Sequence, residues 1–286
     1  MKPIPLVRKA ALAPAVSYLA GEGVSVCRYL RQAGLSVPSR DSLETLMPLH
    51  QLCGFLSSVA RTEGINDLGF RIGGHMGTES LGTYGRLIAH SLTIHESIQL
   101  SRKFIASYNS GLQIWLESHG DQVRYCQKYA EDLPRDRITE VVHLGLANAM
   151  ANSGYGGEAG WQLNRIELAS DPIDLSAYFP ELADVPVSFR QPITSLWVDT
   201  TVMSAPMRRL DVTDCTLADA PARDSFLETG PASDPIGQLE QAIESMLNQP
   251  GLTLQQTAVA IGTSARTLQR RLAEHDTSFS HSLQAI

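Results

Sequence analysis

The chain has 286 residues, 43% of them hydrophobic, and carries 23 basic against 30 acidic residues, a formal net charge of −7. That length and apolar content predict two domains and a sizeable core. The acidic balance excludes a surface coated with positive charge, and with it bulk non-specific nucleic-acid binding, but leaves room for a local basic element.

The opening stretch, MKPIPLVRKAALAPAVSYLAGEG, sets basic residues before a short apolar run that Pro14, Ser17 and Gly21 interrupt. It predicts neither a secretion signal nor a membrane span, so a cytoplasmic protein is expected. Cys27, Cys53, Cys126 and Cys215 are irregularly spaced without a C-x-x-C pair, which predicts reduced, mostly packed thiols.

The first 110 residues read as helices. Leu49, Leu52, Leu56, Val59 and Ala60 recur at helical spacing, as do Leu87, Ile88 and Leu92. A glycine-rich stretch, LGFRIGGHMGTESLGTYGRLIAHS, follows the first group, and its glycines are expected to serve turns and close helix packing. Thr93 is placed to cap a helix from Ile94 to Tyr108. The period then changes to two: Leu112, Ile114 and Leu116, then Val123, Tyr125 and Tyr129, predict a β-hairpin across Ser118-His119-Gly120-Asp121. A helix is expected over Ile138–Asn152, and alternation returns around Leu163, Ile166 and Leu168 and in VSFRQPITSLWVD. The fold class expected is an α+β domain over residues 1–210, helices plus a small, mostly antiparallel sheet, followed by an all-α segment.

Residues 211–233 change composition: five acids stand against Arg223 alone, with Pro221, Gly230 and Pro231 as breaks. They predict an exposed acidic linker, with Leu217, Phe226 and Leu227 able to dock. Asp234-Pro235 then starts a helix whose inward face is Ile236, Leu239, Ile243, Met246 and Leu247, ended by Asn248, Pro250 and Gly251. Thr253 and Gln256 have capping-box spacing for a second helix with Leu254, Ala258 and Ile261 inward. Gly262 makes a turn and Ser264 caps a third helix, so the pair has helix-turn-helix form. On that last helix Ala265, Leu268 and Leu272 face the core. Arg266, Gln269 and Arg270 form a separate stripe with Ala273, and Arg271 lies on the opposite flank. Arginine pairs bidentately with guanine and glutamine with adenine, which suits the stripe to base edges and Arg271 to a phosphate. Against this, arginines at i and i+4 are ordinary on solvated helices, and residues 234–286 carry five acids against three arginines, a net of −2.

The stretch LTLQQTAVAIGTSARTLQRRLAEHDTSFSHSLQAI resembles the first helix-turn-helix of the AraC/XylS family of bacterial transcription regulators. The matching residues are Ala258, Ile261, Gly262, Ser264, the run Leu268 to Leu272, and Thr277-Ser278-Phe279 at the start of the linker helix. Asp276-Thr277 stands where the family has glycine before its Ser-Phe pair. Upstream, LGFRIGG and LGTYGRLIAHSLTIHESI are similar to the arabinose-binding-like domain that precedes many such regions. The resemblance implies DNA reading by Arg266, Gln269 and Arg270, with residues 234–286 as the first half of a two-unit DNA-binding region. It also implies an N-terminal effector or dimerisation domain, a homodimer, promoter DNA as partner and activation through RNA polymerase. Since family members use two such units, the second is expected to be missing after Ile286, and tight binding to need it. The alternative is an effector-binding or dimerisation module that sequesters a partner without binding DNA itself.

No enzyme motif is present. His90 and His95 are i, i+5 on different helix faces, with Thr93 between them, so they and His75 predict no metal site. GGHMGTESLGTYG matches neither a dinucleotide fingerprint nor a P-loop. No cofactor, metal or membrane partner is expected, and the sequence names no ligand-binding residue.

Overall fold

The structure, a computed structural model, describes residues 2–131, 133–155, 161–176, 179–207, 220–247 and 251–285. The expected boundary at residue 210, together with Cys215, Leu217, Asn248, Pro250 and Ile286, lies outside them.

The N-terminal region is not purely helical, which corrects the expectation for the first 110 residues. Leu6–Arg8 (β1) pairs antiparallel with Leu46–Pro48 (β2), Val7 opposite Met47. Three-residue strands are too short to show a period of two, so they passed unread. Between them lie Ala13–Gly21 (α1) and Val26–Gln32 (α2). Leu49–Glu63 (α3) follows β2 directly and buries Leu49, Leu52, Phe55, Leu56 and Val59 along one face. Gly64, at φ 69°, ends it in the left-handed conformation that glycine adopts without strain.

The glycine-rich stretch contains two helices, Leu68–Gly74 (α4) and Gly82–Ala89 (α5). Ile94–Tyr108 (α6) begins where Thr93 accepts a hydrogen bond from the Glu96 amide, and Glu96 reaches back to the Leu92 amide at 2.7 Å. The hairpin forms as Leu112–His119 (β3) and Gln122–Tyr129 (β4), and Arg135–Asn152 (α7) follows, starting three residues before the expected position. Arg165–Glu167 (β5), Val187–Ser188 (β6) and Thr194–Asp199 (β7) complete a five-stranded sheet in the order β3-β4-β7-β5-β6. Only the β5–β6 pair is parallel. Along this sheet Leu112, Ile114, Val123, Tyr125, Leu196 and Val198 share the face that turns toward α6 and α7.

Two glycines set how α4 crosses α7. A Cβ on Gly69 would overlap the Glu140 carbonyl, and one on Gly73 the Leu144 carbonyl. The helix backbones touch there, which only residues without a side chain permit. The same crossing holds two buried ionisable groups. Glu140 accepts from the Gly69 amide at 2.7 Å, yet burial pushes its carboxyl up to about 7. His143 packs against Phe70, tilted at 35° with ring centres 4.6 Å apart, and contacts Ser170 at 2.9 Å, and burial holds its imidazole down to about 3.

These shifts have opposite consequences for stability. Glu140, raised from 4.5, contributes stability that is present below pH 4.5 and lost as pH rises through about 7. His143, lowered from 6.5, contributes stability that is present above 6.5 and lost as pH falls through about 3. Between 4.5 and 6.5 the two slopes oppose each other. Glu140→Gln should therefore steepen the loss of stability on acidification and make the protein more stable than its parent above pH 7. Urea unfolding from pH 4 to 8 checks this; a variant weaker than the parent at pH 8 would contradict it.

Residues 220–228, inside the expected linker, form a helix, Ala220–Glu228 (α8). Phe226 is buried beneath the Arg8 guanidinium, 4.2 Å from the ring centre, while Leu227 stays exposed. Pro235–Glu244 (α9), Leu254–Ala260 (α10), Ala265–Ala273 (α11) and Phe279–Ala285 (α12) complete the all-α end. α9 does not stand apart from the N-terminal domain. Leu239, Ala242 and Ile243 join Ile4, Leu6 and Leu46 in one apolar cluster with Ala258, Leu268 and Leu272. The Ile4 amide donates to Gln238 Oε1 at 2.7 Å.

Candidate functional site

Two features of this fold suit recognition: an exposed polar helix and a partly open apolar cavity. The helix is α11. Every local signal for it is realised. Asp234 caps α9 through the Ile236 and Gly237 amides, Thr253 and Gln256 form a capping box on α10, and Ser264 accepts from the Thr267 amide to cap α11. Gly262 turns between α10 and α11 at φ 73° and lies against the His50 ring at the start of α3, where a Cβ would overlap the imidazole. Leu268 and Leu272 are fully buried against α9 and α10, which fixes the rotation of α11. Arg266, Gln269 and Arg270 are consequently exposed on the outer side, and Arg271 is half-buried on the other flank. Arg270 pairs with Glu274 at 2.7 Å, one turn on. A solvent-exposed pair at i, i+4 is worth only about 0.3–0.5 kcal/mol, so Arg270 is readily released to another acceptor.

The cavity was not foreseen. A partly open cavity of about 160 Å³ lies between α5, α6, α7 and the inner face of β3, β4 and β7. Space exists there because α7 turns Gly145 and Ala149, one turn apart, toward it. Its walls are aliphatic residues such as Ile88, Ile105, Val141 and Leu196, four tyrosines (Tyr84, Tyr108, Tyr125 and Tyr129), and a few amides and serines. Among the described residues no charged side chain lines it. Burial pushes the Tyr84 phenol up to about 12 and raises those of Tyr108, Tyr125 and Tyr129, so all four stay neutral. The Gln127 and Asn148 amide groups donate to the carbonyls of Val142 and Met76, at 3.3 and 3.2 Å. Asn152 donates to the Asn148 carbonyl. Trp161, against Tyr155, closes the end beside the C-terminus of α7 and donates to the Ser153 carbonyl at 3.2 Å.

Cavity and helix are linked through the N-terminal strand. Tyr108 and Asn109 line the cavity at the end of α6. The next residues hold β1: the Ser107 carbonyl accepts from Arg8 Nε at 2.8 Å, and the Leu6 amide donates to Ser110 Oγ at 2.9 Å. Leu6 itself packs on α9.

His90 follows α5 and His95 lies on α6. Among the described residues no cluster of His, Cys, Asp or Glu has metal-binding form. Cys53 and Cys126 are buried, their thiols pushed up to about 12 by burial, and Cys27 is exposed. No described helix is long and apolar enough to cross a membrane.

The α+β domain thus holds an apolar cavity and carries a capped helix-turn-helix on one flank. Residues 23–207 match the family described as the arabinose-binding domain of AraC transcription regulators, N-terminal, and the chain belongs to that family. Among solved structures, the transcriptional regulator CdpR from Pseudomonas aeruginosa is similar, with 17% identity over 96% of this chain and 82% of that one. Its TM-score is 0.49, too low to establish a common arrangement of the whole chain. No curated protein matched the chain.

Proposed function

We propose that the chain is a DNA-binding regulator that reads its operator with α11 and is controlled through the N-terminal domain. The observation that carries this is the rotation of α11. Burial of Leu268 and Leu272 leaves Arg266, Gln269 and Arg270 together on the open side, although the rest of the segment is docked on β1 and β2. Arg266, Gln269 and Arg270 then face base edges and Arg271 a backbone phosphate. The division proposed is a sensor domain over 1–210, a connection over 211–233 with α8 docked on the sensor, and a reading segment over 234–286. Family membership supports an activator that works on promoter DNA with RNA polymerase, as a homodimer in the cytoplasm, and that carries out no catalysis. An effector in the cavity would act by binding the DNA-competent arrangement more tightly than the incompetent one, the difference passing through Ser107, Ser110 and β1.

Duplexes selected from a randomised pool by this chain at low salt should share a motif. Arg266→Ala or Gln269→Ala should relax one position of it at a cost of about 1–3 kcal/mol, whereas Arg271→Ala should weaken all sequences alike and flatten the salt dependence. Glu274→Gln removes a negative charge beside the stripe and frees Arg270, so it should tighten binding. Selected duplexes that all four variants bind like the parent would sink the proposal.

A further inference from the structure

We infer that the effector taken by the cavity is a small, neutral, largely apolar molecule, of monocyclic size, bearing one hydroxyl or carbonyl group. The inference rests on the sensor reading above and names the class of ligand for it.

Size comes first. A dry cavity of about 150 Å³ holds benzene, and this one, open on one side, offers about 160 Å³. That space takes a ring with a short substituent. Charge comes next. No Asp, Glu, Lys, Arg or His lines the walls among the described residues. Among the described residues, the buried guanidinium of Arg8 is committed elsewhere, to the carbonyls of Ser107, Glu44 and Phe226 and to Thr229. An ion entering the cavity would lose its water and meet no counter-charge, which costs far more than the burial of its ring returns.

Polarity decides the remainder. The phenol hydroxyls of Tyr108 and Tyr125 have no hydrogen-bond partner among the described residues, although both rings line the cavity. The donors of Gln127, Asn148 and Asn152 are directed at backbone carbonyls instead. The walls therefore offer neutral hydroxyls, those of Tyr108 and Tyr125 beside the serines, each able to donate to a carbonyl or exchange hydrogen bonds with an alcohol. A pure hydrocarbon would leave both unpaired. One polar group on an apolar frame satisfies them, which sets the preference.

The test uses three near-isosteric probes on the purified chain by titration calorimetry: 2-phenylethanol, phenylacetate and 2-phenylethylamine. The alcohol should bind with a stoichiometry of one, and both ions at least about tenfold more weakly. Gly145→Leu fills the space beside the Tyr129 hydroxyl, which a Cβ at that position already approaches at 3.2 Å; it should abolish binding. Ala149→Leu, on the same face of α7, should do likewise and serves if the first variant does not fold. Binding of either ion as tight as the alcohol's, removed by the same substitutions, would overturn the ligand class while keeping an effector cavity. Binding of none of the three, or alcohol binding that survives both substitutions, would overturn the cavity as the site. The DNA-reading proposal, which rests on α11, would stand in either case.

Discussion

Replacing Arg8 by methionine is expected to cost about 3–5 kcal/mol, the range found when one partner of a buried charged network is removed. Arg8 has no exposed surface. Its guanidinium donates to the Ser107, Glu44 and Phe226 carbonyls at 2.8, 2.5 and 2.6 Å, pairs with the Glu44 carboxylate at 3.5 Å and covers the Phe226 ring. Two effects compete. Burial disfavours the cation and lowers its pKa, more than the Glu44 charge raises it, so removal of the charge relieves a penalty. Hydrogen bonds to a charged group, however, are worth about 1.5–3 kcal/mol each, and three are lost together while their carbonyls stay buried. The loss wins. Methionine keeps the apolar stem, so the cost falls on the polar contacts. Because those contacts join α6, the loop before β2 and α8, the loss should also undock α8. Denaturant unfolding measures the first effect, and increased amide exchange over residues 220–229 the second. A variant within 1 kcal/mol of the parent, with unchanged exchange there, would contradict the account.

Gly69→Ala and Gly73→Ala should each cost about 3 kcal/mol, the upper end for overpacking a core. Alanine would otherwise favour a helix over glycine by about 1 kcal/mol, so propensity predicts the opposite sign. Packing decides because the added methyl meets backbone rather than a movable side chain: the Glu140 carbonyl in one case and the Leu144 carbonyl in the other. Neither α4 nor α7 can yield without moving the cores on both sides. Gly54, on the neighbouring α3 with nothing within 4 Å of its added Cβ, provides the control, and Gly54→Ala should be neutral or stabilising. Thermal unfolding of the three variants separates packing from propensity; stabilisation at Gly69 or Gly73 would show that the helices are not in contact there.

These two cases show where the sequence could be read and where it could not. The C-terminal helices were largely legible, because caps at Asp234, Thr253 and Ser264, the turn at Gly262 and the spacing of Leu268 and Leu272 are local signals, although α9 ends at Glu244 and Leu247, expected inward, is exposed. The hairpin was legible for the same reason, its alternation running through β3 and β4. The cavity was not. Its walls come from residues as distant as Ala11 and Met207, and its defining feature at Gly145 and Ala149 is missing bulk, which resembles ordinary helix composition. Arg8 was equally silent: it sits in a short basic run that reads as solvated, and only the pairing of β1 with β2 carries it inside. An exposed polar stripe on a capped helix can be named from a local pattern, whereas a cavity requires the tertiary fold.

The strand Leu6–Arg8 places neighbouring residues on opposite sides. Leu6 joins the cluster beneath α9 and α11, and Val7 enters the core that contains Tyr108 and Leu49. A one-residue slip of β1 along β2 would exchange these two side chains between faces. Both halves of the molecule would lose their fit at once, although no residue of the cavity or of α11 had changed. The register of this one short strand thus fixes, at the same time, the packing of the apolar core around Tyr108 and that of the cluster beneath α9 and α11.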